Sequence, residues 1–200
     1  MRKLVGLIVI VVLAMAIAWG RAQQPEVITY YIAVGEPETS YRSSDRQLAV
    51  WAFDAWARSS GGALRFTAGE EPRADIRLHW AAGDGGQYGE MRRSLVNGRF
   101  VADVYVRPDT TALGPDIEEL AARDGLVRET IVYLTCLHEL GHALGLEHTR
   151  DYRDIMYFFG YGGDIPGFFT RYRTQLRSRS DIPSVAGLSP NDIARLKALH

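Results

Sequence analysis

The stretch 136-CLHELGHALGLEHTRDYRDIMY-157 brings three histidines and a methionine into twenty-two residues, and its centre, 138-HELGHALGLEH-148, has the form H-E-x-x-H-x-x-G-x-x-H. No Gly or Pro interrupts residues 126–140 before it, so the segment 126-LVRETIVYLTCLHELGHALG-145 reads as one helix. His138 and His142 are four positions apart and lie about 40° from one another on one helical face, where two imidazoles can hold one ion. Gly145 tolerates the left-handed backbone that ends a helix, so the chain can turn sharply and return His148 beneath the first pair. Glu139 sits about 60° round the helix from His142, beside the ion but off the ligand face, where it suits a base acting on metal-bound water. An isolated H-E-x-x-H is a moderate signal. The full string arises by chance in a chain of this length about once in a hundred thousand cases, and this decides against coincidence.

The N-terminus bounds the rest. Arg2 and Lys3 precede an apolar run from Leu4 to Trp19, followed by Gly20-Arg21-Ala22, a secretory signal pattern. A membrane span takes about 20 apolar residues, so the run is short for one. The expectation is a signal peptide over 1–22 cleaved after Ala22, with an uncleaved anchor through residues 4–19 as the alternative. Either places the rest of the chain outside the cytoplasm, secreted, extracellular or periplasmic. Removing residues 1–22 takes away three of the 23 basic residues and none of the 24 acidic ones, leaving 20 against 24 and a net charge of −4. That balance argues against nucleic acid as a partner. Residues 23–200 suffice for one domain with a substantial core, and a monomer is expected. The single cysteine, Cys136, cannot form an internal disulfide. It points about 160° away from the His138 face and reads as a buried core thiol.

The segments around this helix read as an α+β arrangement. A strand is expected over 27-VITYYIAV-34, and a helix over 44–58, with Leu48, Trp51, Ala52, Ala55 and Trp56 on its apolar stripe, Ser/Asp caps at its start and Gly61-Gly62 at its end. Short strands follow at 64-LRFT-67 and 74-ADIRLHW-80; the second alternates Ile76, Leu78 and Trp80 against Arg77 and His79. His79 reads as a solvent-facing strand residue. The glycine-rich 83-GDGGQYGE-90 has no P-loop lysine and reads as a turn. Asn97-Gly98 between the two β-type runs of 91-MRRSLVNGRFVADVYVRP-108 marks a hairpin. A short helical piece is expected at 116–125. Ser189, Pro190 and Asp192 form the start of a final helix whose Ile193, Leu196 and Leu199 should face inward.

The string 138-HELGHALGLEH-148 followed by Met156 in 154-DIMY-157 resembles the metzincin metalloproteases, and within them the matrixins. Thr149 after the third histidine, the eight-residue step from His148 to Met156, the strand 74-ADIRL-78 and the closing helix 188-LSPNDIARLKAL-199 extend the likeness over most of residues 27–200. The resemblance implies a twisted mixed sheet with a backing helix, an active-site helix and a C-terminal helix. It implies that His138, His142 and His148 bind one catalytic zinc, that Glu139 is the general base, that Gly145 is the turn residue, and that Met156 floors the metal site. Calcium is left open. The activity implied is zinc-dependent endopeptidase cleavage of a peptide or protein substrate laid along an edge strand, with residues 92–96 as the expected strand. The aromatic segment 157–180 would wall the pocket for the substrate side chain after the scissile bond.

Some residues depart from the matrixin pattern. Phe158 stands where matrixins usually carry proline, so the pocket wall runs differently. No Pro-Arg-Cys-Gly segment lies between residue 22 and the first strand, so latency through a cysteine–zinc bond is not expected. Beyond the signature only His79 and His200 remain, too few for a second zinc site. A different class of function stays open at this level: a zinc-binding interaction domain that keeps the fold without turnover. The intact Glu139 argues against it.

Overall fold

A computed structural model describes residues 24–83 and 87–200. The expected signal segment 1–22 and part of the 83–90 turn lie outside the described residues. Five strands, β1 (Glu26–Ile32), β2 (Leu64–Ala68), β3 (Ile76–Trp80), β4 (Gly89–Val96) and β5 (Arg99–Val106), form one mixed sheet in the order β2-β1-β3-β5-β4. All neighbours pair in parallel except β4 and β5, which are antiparallel. That exception follows from the turn: Asn97 and Gly98 both adopt positive φ, 52° and 76°, and fold β4 back on β5 with Val96 opposite Arg99. β4 is thereby left as an edge.

Parallel neighbours need crossovers, and helix α1 (Asp45–Ser59) supplies the one between β1 and β2. Its Leu48, Ala49, Ala52, Phe53, Ala55 and Trp56 are buried, while Ile76, Leu78 and Trp80 of β3 are buried in the same core. Ser44 precedes the helix but its side chain caps nothing. Asp45, the other capping candidate, is buried and engaged elsewhere: its carboxylate accepts from the Arg42 backbone N–H at 2.8 Å and holds the Arg128 guanidinium through two 2.8 Å contacts. Neither side chain of the expected Ser/Asp pair caps the first turn, because a buried arginine on another helix takes the carboxylate.

Helix α2 (Pro115–Arg123) leads into α3 (Gly125–Ala143), which carries the histidines, and Asp124 caps α3 by accepting from the Leu126 N–H. The indole N–H of Trp56 donates to the Leu137 carbonyl at 3.0 Å, fixing α1 against α3 next to His138. Cys136 is fully buried and free, and burial pushes its thiol pKa up. Helix α4 (Ile165–Arg173) stands within the segment expected to be an aromatic wall, and α5 (Pro190–Leu199) closes the fold. In α5 the Ser189/Asp192 capping box forms as expected. Leu196 is buried, but Leu199, expected to face inward, is 55% exposed.

Candidate active site

The end of α3 is a Schellman cap. Gly145 has φ +94°, its N–H donates to the His142 carbonyl at 3.0 Å, and the Leu146 N–H donates to the Gly141 carbonyl at 2.9 Å. This tight reversal brings two things to the His138/His142 face of the helix. The Leu146 carbonyl accepts from His142 Nδ1 at 2.8 Å, and His148 Nε2 arrives 3.1 Å from His142 Nε2 and 3.2 Å from His138 Nε2. His138 Nδ1 donates in turn to the Ile155 carbonyl at 2.7 Å.

A carbonyl only accepts, so both Nδ1 atoms carry the proton and both Nε2 lone pairs turn inward. Three imidazole nitrogens converge with like-signed lone pairs, an arrangement that a cation relieves. Tetrahedral zinc with Zn–N of about 2.0–2.1 Å separates its ligand nitrogens by about 3.3 Å, close to what is found here. The donor set therefore fits zinc, and the two carbonyls are the usual partners that fix a ligating histidine's tautomer and orientation. Burial lowers the pKa of all three rings, that of His138 to about 3, so they are neutral and able to bind.

Glu139 lines the same cleft as the histidines, and its side chain is 6% exposed. Desolvation pushes its carboxyl up to about 8, with Arg107 drawing it down and Glu90 adding to the rise. The backbone at Gly89 lies directly over it: a Cβ there would stand 2.7 Å from Glu139 Cγ and 2.8 Å from its Oε1. Met156 is fully buried, and its sulfur lies 2.4 Å from where a Cβ on Gly141 would be. Gly141, the residue before His142, is thus required by packing against Met156.

The cleft encloses about 460 Å³ and continues from the histidines into an apolar recess formed by Tyr88, Leu134, Phe159, Phe168 and Phe169. Its strand side is Gln87–Met91, the approach to β4 and its first three residues, while 92–96, where substrate was expected, continue the same edge strand. The sheet is set so that Gly89 meets Glu139, and the later residues of β4 run on past the cleft. His79 stays apart, on the outer sheet face, stacked on Tyr105 and 3.5 Å from Asp103. Among the described residues, His138, His142 and His148 are the one group of metal-ligating side chains close enough to share an ion.

Comparison with known proteins agrees with this arrangement. A sequence model described as Matrixin matches residues 18–163. The chain belongs to the matrixin family. Relatives of this matrixin include a macrophage metalloelastase of Oryctolagus cuniculus, 32% identical over 138 residues, and an interstitial collagenase of Sus scrofa, 30% identical over 141 residues. These alignments cover 67% and 69% of this chain but 28% of each relative, so the chain spans under a third of their length. Among solved structures, archaemetzincin from Methanopyrus kandleri shares the fold, with a TM-score of 0.51 at 13% identity over 90% of this chain and 98% of that one. The metzincin-like α+β fold expected from the signature is thereby shown.

Three features of the site were not read from the sequence. The α4 helix had a signal in its Asp164 cap, in Pro166 near its start, and in the spacings Ile165/Phe169 and Phe168/Tyr172. The steric need for Gly89 and Gly141 had none, since each depends on a partner distant in sequence or on another element.

Proposed function

We propose that this matrixin is a zinc-dependent endopeptidase that acts outside the cytoplasm, as a monomer, on peptide or protein substrates. The observation that carries the reading is the set of three inward-facing imidazole Nε2 atoms beside a buried, proton-avid carboxyl. Zinc held by His138, His142 and His148 supplies a Lewis acid that polarises a carbonyl and brings water's pKa near 7. Glu139, buried beside the histidines, takes the proton of the attacking water and returns it to the departing amine. The free edge of β4 around Gly89–Met91 pairs with an extended substrate backbone, and the recess toward Phe168 and Phe169 receives an apolar side chain. Gly145 sets the turn that delivers His148, and Met156 supports the histidine floor. No helix among the described residues is long and apolar enough to cross a membrane. Residues 1–22 act as the export signal in this reading, which sequencing of the exported protein's N-terminus checks.

The decisive experiment is Glu139→Gln on a verified peptide substrate with zinc content measured in parallel. General acid–base participation supplies about 10²–10⁴-fold, so cleavage should fall at least about a hundredfold while zinc remains bound. Cleavage at the parental rate would refute the role of Glu139. If neither protein cleaves anything across a broad peptide library, the chain is a zinc-binding interaction domain instead.

A further inference from the structure

The third histidine is held differently from the first two. His138 and His142 each have Nδ1 anchored on a backbone carbonyl, whereas His148, the most exposed of the three, has no such partner among the described residues. Its ring instead lies against Phe158, with centroids 4.6 Å apart and planes inclined by 26°. The backbone makes this contact local: the Thr149 N–H donates to the Met156 carbonyl at 2.8 Å, the Phe158 N–H reaches the Thr149 carbonyl at 3.4 Å, and residues 149 and 157 form a parallel bridge. The strip after His148 is thus fastened to the strip before Phe158.

The phenyl ring is also backed on other sides. Tyr161 meets it edge-on at 5.3 Å, and the Arg150 guanidinium lies 4.7 Å over Tyr161. A Cβ on Gly160 would stand 2.2 Å from Phe158 Cε1 and 2.4 Å from Cζ, so this placement of the ring requires glycine there. The φ of Gly160 is not among the positive ones, so the requirement is steric and not conformational. Phe158 itself is 43% exposed, more than core packing alone would explain.

We propose that Phe158 is the positioning residue for His148, its ring doing by stacking what carbonyl oxygens do for His138 and His142. The inference rests on the zinc reading of the site. Second-layer partners restrict a ligating imidazole to the orientation the metal needs, and a flat ring restrains tilt as a carbonyl restrains rotation. An imidazole bound to a cation is electron-poor, and a phenyl face favours an electron-poor partner, so the stack strengthens when metal binds.

The test is chelator competition on zinc-loaded protein for the parent and for Phe158→Ala, Phe158→Leu, Phe158→Tyr and Gly160→Ala, with circular dichroism reporting folding. A stacked ring pair is worth about two- to tenfold in an equilibrium. Phe158→Ala and Phe158→Leu should therefore raise the zinc Kd by about that factor, and Phe158→Tyr should restore it. Gly160→Ala, which displaces the ring without removing it, should shift the Kd in the same direction. Phe158→Leu binding as tightly as the parent would show that bulk, not stacking, is what matters, and would overturn the proposal. Unchanged affinity in Phe158→Ala beside a parent that binds one zinc sinks this inference alone. A parent that binds no zinc sinks the endopeptidase reading and this inference together.

Discussion

Glu139→Gln has a second consequence, independent of substrate, that reads the burial of the carboxyl directly. In metal-free protein the folded-state pKa is about 8 against an ordinary value of 4.5, with desolvation the main cause. A carboxyl whose pKa is raised by folding binds its proton more tightly in the native state, so its ionisation is a cost that grows as pH rises. Below pH 4.5 both states are protonated and the cost is nil; between pH 4.5 and 8 it accumulates. At pH 7 it amounts to about 3 kcal/mol on these values. Because Glu139 is only 6% exposed, solvent screening does not remove most of it. Glutamine cannot ionise and is spared. In urea titrations after chelator treatment, the variant's advantage over the parent should therefore grow by about 2–3 kcal/mol from pH 5 to pH 7. The slope is the readout, since any packing difference of the amide is constant with pH. Restored zinc favours the carboxylate and should flatten that slope. Parallel pH profiles for the two metal-free proteins would refute the idea that Glu139 is held in a desolvating site.

Other outcomes follow from the same contacts. Three ordinary imidazoles of pKa about 6.5 would lose about a thousandfold in zinc affinity between pH 7.5 and 5.5, but burial lowers all three here, so chelator competition should show a much smaller loss; a full thousandfold drop would contradict the depressed values. Gly141→Ala adds a Cβ against the Met156 sulfur and should cost about 1–3 kcal/mol in denaturant unfolding, although alanine is the better helix former; a stabilised variant would show that Met156 moves freely. Gly145→Ala forces φ of +94° on a residue with a Cβ and should lower stability by about 1–2 kcal/mol, with weaker zinc binding because His148 depends on that turn. Asp192→Ala leaves the N–H groups of Ile155, Met156 and Ser189 without their acceptor and should cost about 2–4 kcal/mol by thermal or chemical unfolding.

What could be read from the sequence was whatever short-range chemistry dictates. His138, His142, Gly145 and His148 are related by helix pitch and one glycine turn, so their meeting needed no tertiary knowledge. The hairpin at Asn97-Gly98 and the Ser189/Asp192 box are local in the same sense, and both form where expected. Errors arose where a distant partner overrides the local rule. The Ser/Asp caps expected at the start of α1 do not form, and the Asp45 carboxylate is instead engaged by Arg128, eighty-three residues on. That Gln87–Met91 line the cleft could not be read locally either, because it depends on Gly89 lying over Glu139 of α3. A hairpin signal identifies which strands pair, but not which of their residues a helix from elsewhere will face.

The candidate site is therefore local in ligands and non-local in support. His138 donates to the Ile155 carbonyl, and the N–H of the same peptide unit, on Met156, points to Asp192 Oδ1 at 3.4 Å, while the Ile155 N–H donates to Asp192 Oδ2 at 2.8 Å. Asp192 belongs to the capping box of α5, so the helix that closes the fold also fixes the carbonyl that orients the first histidine. Burial raises the Asp192 carboxyl's pKa above its ordinary value, and the backbone N–H groups aimed at it offset only part of that rise. Trp56 of α1 holds the Leu137 carbonyl and lies 3.2 Å from where a Gly141 Cβ would be. Helix α3 is thus tied to two elements more than a hundred residues apart in sequence, to α1 directly through Trp56 and to α5 through the Ile155–Met156 backbone. A change in either can disturb His138 without touching a ligand, which is why the short signature is enough to find the site but not to build it.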